Sequence, residues 1–81
     1  MVDPGDFIVK LTAIFRQELD NNDLTISMDT LQSNLESWDS LAHVRIVMGV
    51  ERTFGIQLEV AEIESINSVR GFYNAVSSQV S

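Results

Sequence analysis

The sequence predicts an all-α fold: a small antiparallel four-helix bundle with three main helices, a short third helix and a long loop between the first two. Three observations point there. Apolar residues recur at helical spacing in separate stretches near the start, middle and end of the 81-residue chain. Each stretch is bounded by residues that start or stop helices. There is no Cys to hold an irregular fold together, so stability must come from packing, and hydrophobic residues at 44% suffice for one small core. We read residues 1–81 as a single domain.

The first helix has clear punctuation. Asp3 suits the N-cap, Pro4 the first helical position, and Asp6 adds a favourable first-turn charge. Phe7, Leu11, Phe15 and Leu19 recur every four residues, and Ile8 and Ile14 widen that stripe into a core face. Asp20-Asn21-Asn22-Asp23 ends it. In the loop that follows, Leu24, Ile26 and Met28 alternate with polar residues, as do Ile56, Leu58 and Val60 further on. A two-stranded ribbon is marginal in water, so both are read as extended segments pinned to a helical core. Leu31, Leu35 and Trp38 are the expected anchors of the loop.

The second helix runs from Ser40 or Leu41 to about Phe54, with Ser40 as its N-cap and Gly55 as its left-handed terminator. Its apolar residues cover most of the circumference. The predicted exposed stripe is Ala42, Arg45, Gly49 and Arg52, with His43 and Thr53 beside it. Ala61 to Ser65 fits a short third helix. The last helix starts near Asn67 or Ser68 and buries Val69, Phe72, Tyr73 and Val76.

Composition excludes several classes of function. Twelve acids against five bases give a net charge of −7, which opposes binding to nucleic acid or anionic membrane. The imbalance lies in residues 1–39, with eight acids against two bases; from Ser40 onward four acids face three arginines. No stretch has the apolar length to span a bilayer, and no signal peptide is evident, so a cytoplasmic monomer is expected. One His, no Cys and scattered acids offer no metal site, and the four glycines form no phosphate-binding loop. Asp39, Ser40 and His43 are the residue types of a hydrolase triad. Within five residues, however, Asp39 precedes the serine instead of backing the histidine, so no catalytic residue is expected and His43 reads as a surface residue.

Asp39-Ser40-Leu41 carries the remaining signal. A serine at a helix N-terminus can be a simple cap, but an anion attached there is stabilised by free N–H groups and the helix dipole. With the small acidic chain, the helix from Ser40-Leu41 to Phe54-Gly55-Ile56, and Ile66-Asn67-Ser68-Val69 before the last helix, the sequence resembles the acyl carrier proteins. The resemblance implies a non-catalytic carrier with 4'-phosphopantetheine, derived from coenzyme A, on Ser40, and Asp39 and Leu41 adjoining it. It implies apolar partner contacts at Leu41 and Met48 and an acyl pocket at Val50, Leu58, Ile63 and Ile66. Its partners would be a phosphopantetheinyl transferase, acyl-activating or acyl-transferring enzymes, and synthases of fatty-acid, polyketide or related pathways.

Two departures stand out. Ser37 replaces a glycine common in the family two residues before the Asp. Where fatty-acid-synthesis members usually carry four acids on the second helix, this chain has Ala42, Arg45, Glu51 and Arg52, so Arg45 and Arg52 join the candidate partner surface as a repulsive element toward basic docking patches. That substitution implies a specialised carrier. Phe72, bulky where the family is often small, would limit pocket depth. The alternatives are an aminoacyl or peptidyl carrier, in which His often precedes the serine, and an unmodified helical interaction module using Arg45 and Arg52.

Overall fold

The computed structural model describes residues 2–80. It is all-helical, with α1 (Pro4–Glu18), α2 (Ser40–Phe54), α3 (Val60–Ser65) and α4 (Val69–Val80), plus a 3-10 turn at Gln32–Asn34 in the long loop. α1 begins as its sequence requires: the Asp3 carboxylate accepts the Asp6 N–H at 2.9 Å, with Pro4 in the first turn. It ends with Asp20 in a left-handed conformation, φ 52, so that the Asn21 N–H reaches back to the Arg16 carbonyl at 3.0 Å.

Phe7, Leu11, Ile14 and Phe15 of α1 meet Ile46, Val47 and Val50 of α2 and Val69, Phe72 and Val76 of α4 in one core. The α1–α2 approach is close. A Cβ placed on Gly49 would lie 2.9 Å from Cγ2 of Ile14, so glycine lets the two helices touch. Gly55 ends α2 at φ 66, ψ 37, where a side chain would be strained.

The long loop is held by several different bonds. Leu24, Ile26, Met28 and Leu35 pack partly buried against the core, and Trp38 is buried within it. The Gln32 N–H donates to the Asn67 carbonyl at 2.8 Å and the Val69 N–H to the Thr30 carbonyl at 3.0 Å, tying the loop to the start of α4. Arg16 Nε donates to the Leu24 carbonyl at 2.7 Å. Among the described residues β pairing is limited to an isolated bridge between Leu31 and Ser68, so Leu24, Ile26, Ile56 and Leu58 lie in unpaired chain and not a ribbon.

Four expectations need correction. Leu31 is 45% exposed, so its neighbours' backbone and not its side chain anchors the loop. Val60 is not extended; it opens α3 one residue early and is 70% exposed. The stripe Ala42/Gly49 faces inward, because α1 packs against that side of α2. His43 is buried as well. The outward face instead carries Leu41, Val44, Arg45, Met48 and Arg52.

Replacing Gly49 tests the close approach. Gly49→Leu should lower stability by about 1–3 kcal/mol through overpacking. Gly49→Ala should lose less, because alanine's helix propensity returns about 1 kcal/mol. Urea midpoints of the two variants should fall in that order.

Candidate functional site

Asp39, not Ser40, caps α2. Its Oδ1 accepts the Ala42 N–H at 2.9 Å, and its backbone carbonyl accepts the His43 N–H at 2.8 Å. Asp39 adopts the extended backbone of an N-cap, φ −93, ψ −173, which makes Ser40 the first helical residue. The shift by one residue matters chemically. A capping serine would have its oxygen occupied, whereas the exposed Ser40 hydroxyl bonds to no group among the described residues. The Ser40 and Leu41 N–H groups, with no preceding turn to bond to, also meet no protein acceptor.

The segment that delivers Ser40 is rigidly placed. Trp38 Nε1 donates to His43 Nδ1 at 3.0 Å, and His43 Nε2 lies 2.9 Å from the Ile63 carbonyl. Because Nδ1 accepts, the ring proton sits on Nε2 and donates to Ile63. Trp38 stacks on Phe72 with centroids 6.1 Å apart and meets Phe15 edge-on at 4.9 Å. The Gln32 amide nitrogen donates to the Trp38 carbonyl at 3.1 Å.

This geometry corrects the view of His43 as a surface residue. It also dissolves the triad composition: both imidazole nitrogens are engaged, neither by Ser40 nor by Asp39. Only the sequence separation of a lone Trp and a lone His, five residues, hinted at the pair, and that spacing has no meaning outside this fold.

The remaining site residues divide into two groups. Leu41, Arg45, Met48 and Arg52 share the exposed face of α2 that starts at Ser40. Val50, Leu58 and Ile66 are buried in the core, and Ile63 is half-buried against it. Three open surface pockets are lined by other residues, except that Arg45, Met48 and Arg52 line one together with Glu18. Among the described residues no group of His, Asp and Glu is placed to hold a metal, and no helix is long and apolar enough to cross a membrane.

The family model described as "Phosphopantetheine attachment site" matches residues 9–76, most of the chain and all of α2 and α3. The chain belongs to that family. It is thus a carrier protein whose prosthetic group is phosphopantetheine, and not an enzyme. The solution structure of a holo acyl carrier protein from Geobacter metallireducens superposes with a TM-score of 0.81 at 24% identity, covering 91% of this chain and 85% of that one. That likeness establishes the acyl carrier protein fold. No curated protein matches the chain.

Two variants separate the cap from the buried bond. Asp39→Ala should lose about 1 kcal/mol, the usual value of a cap. His43→Phe leaves the Trp38 N–H and the Ile63 carbonyl without partners and should lose more, roughly 1–3 kcal/mol for each group that stays dry. Chemical denaturation of the carrier should rank them in that order.

Proposed function

We propose that Ser40 is the attachment residue, and that the carrier tethers acyl groups there as thioesters for the enzymes of a dedicated fatty-acid, polyketide or related pathway. The observation that carries the assignment is the exposed, unbonded Ser40 hydroxyl beside the free Ser40 and Leu41 N–H groups, with Asp39 already serving as the cap. These residues fit a phosphodiester. The N–H groups and the positive end of the α2 dipole stabilise its charge, while the Asp39 carboxylate is occupied with the Ala42 N–H.

When bound, phosphopantetheine supplies a thiol on a flexible arm, which this Cys-free chain lacks, and which holds an acyl group as an activated thioester at high effective concentration. The chain's own part is to position and protect. Asp39 holds the first turn of α2 so that Ser40 projects from a fixed point. Val50, Leu58, Ile63 and Ile66 line the proposed acyl pocket; the first two and Ile66 belong to the core and Ile63 packs against it, which supports that reading. Phe72, fully buried and packed on Trp38 and His43, limits the depth of that pocket. Asp39 in place of a histidine before the serine supports acyl over aminoacyl cargo. The partners are a phosphopantetheinyl transferase, acyl-activating or acyl-transferring enzymes and synthases, met by a monomeric single-domain carrier in the cytoplasm.

Mass spectrometry after incubation with coenzyme A and a promiscuous transferase tests the assignment. The wild-type chain should gain one phosphopantetheine and Ser40→Ala none, with the fold retained by circular dichroism. An unmodified wild type across several transferases would sink it.

A further inference from the structure

α2 presents an outward face that the core does not use. Leu41, Val44 and Met48 are 63%, 51% and 57% exposed, and their spacing sets them in one stripe that starts beside Ser40. Arg45 and Arg52 lie together along one side of that stripe, both exposed. The other bases are engaged: Lys10 pairs with Asp6 at 3.3 Å, Arg70 with Asp29 at 3.1 Å, and Arg16 binds the Leu24 carbonyl. Among the described residues neither Arg45 nor Arg52 forms an ion pair.

The nearby acids offset them only in part. Glu51 is the one acid within α2, and its Oε2 accepts the Leu58 N–H at 2.8 Å, which holds it toward the α2–α3 turn. Glu18 of α1 lines the shallow pocket with Arg45, Met48 and Arg52, yet forms no ion pair with either arginine. The face is therefore locally basic on a chain of net charge −7. At physiological salt, charges beyond about 8 Å are largely screened, so at contact the two guanidinium groups outweigh the single Glu18 carboxylate that shares their pocket.

We infer that this face docks enzymes whose carrier-binding surface sets carboxylates around an apolar hollow, and turns away enzymes whose surface is basic. The hollow takes the Leu41/Val44/Met48 stripe, a partner carboxylate enters the pocket between Arg45 and Arg52, and Ser40 at the end of the stripe is brought to the active-site mouth. Charge complementarity decides the occupant: an apolar stripe alone would accept many surfaces, and the arginines select among them. The inference rests on the carrier reading, since only a tethered cargo makes docking beside Ser40 productive.

The test uses one transferase of basic carrier-contacting surface and a variant of it with those bases replaced by glutamate. Each modifies the wild-type apo chain and the Arg45→Glu/Arg52→Glu chain, and KM and kcat are read by mass spectrometry. Within each enzyme the two chains are compared as a ratio, so a catalytic defect of the enzyme variant cancels. With the basic enzyme the reversed chain should show a KM at least about tenfold below wild type, with kcat within about threefold. With the acidic variant the order should invert, and both differences should shrink at about 0.5 M salt. Equal KM values for the two chains, or a lower KM of wild type for the basic enzyme, would overturn the docking inference while leaving modification at Ser40 intact. No mass gain in any of the four pairings would remove the carrier reading and this inference with it.

Discussion

The hydrogen bond from Trp38 Nε1 to His43 Nδ1, continued from His43 Nε2 to the Ile63 carbonyl, joins parts of the chain that otherwise share little packing. Trp38 ends the long loop, His43 lies one turn into α2, and Ile63 belongs to α3. α3 is six residues long and contributes no fully buried side chain; Ile63 packs against the core, Leu58 and Ile66 on either side of it are buried, and polar ties such as this one and the Glu51 contact to the Leu58 N–H add to that packing. A buried imidazole is tolerated because both of its nitrogens are satisfied, and among the described residues no buried side-chain nitrogen or oxygen lacks a partner. Trp38 then extends the link by packing on Phe15 of α1 and Phe72 of α4. Through two side chains, all four helices are referred to the residue that precedes Asp39.

That arrangement explains why a carrier needs so little else. Trp38 is buried and hydrogen-bonded, Asp39 caps α2, and Ser40 is the first helical residue, with its hydroxyl exposed. Capping by Asp39 and exposure of Ser40 are two sides of one event: the acid takes the Ala42 N–H, and the serine hydroxyl is left unoccupied. A cleft, an oxyanion hole or a general base would have no task here, since the reactive group is brought by the prosthetic arm. On the proposed assignment, what the protein adds is a point of attachment at Ser40 and an exposed face of α2 beside it.

That surface differs in character from the rest of the molecule. Acids dominate the long loop, which carries Asp20, Asp23, Asp29, Glu36 and Asp39 and no Lys or Arg, while the outward side of α2 offers an apolar stripe with Arg45 and Arg52 along one side. Such a distribution separates two tasks. Overall acidity opposes binding to polyanions, and in the proposed docking the local face would set the match to a partner at contact range, where screening has removed the distant charges.

The helices themselves were legible because their signals are local. Asp3-Pro4 starts α1, Gly55 ends α2, and Ser68 begins α4 by accepting the Gly71 N–H at 3.0 Å, all through residues within a turn of the boundary. Asp39-Ser40-Leu41 was legible for the same reason, although which of Asp39 and Ser40 would cap depended on one residue of register. The orientation of α2 was not. With apolar residues around most of its circumference, periodicity leaves several rotations nearly equivalent, and the choice fell to Gly49, the one position where α1 could come close enough for Ile14 to touch the backbone. That contact turned Ala42 and His43 inward and Leu41, Val44 and Met48 outward. The sequence by itself determined the helices, their order and the serine at the head of the second. Tertiary packing alone decided which face of that helix stays exposed and gave His43 its structural place, because both depend on residues far apart in the chain meeting across the core.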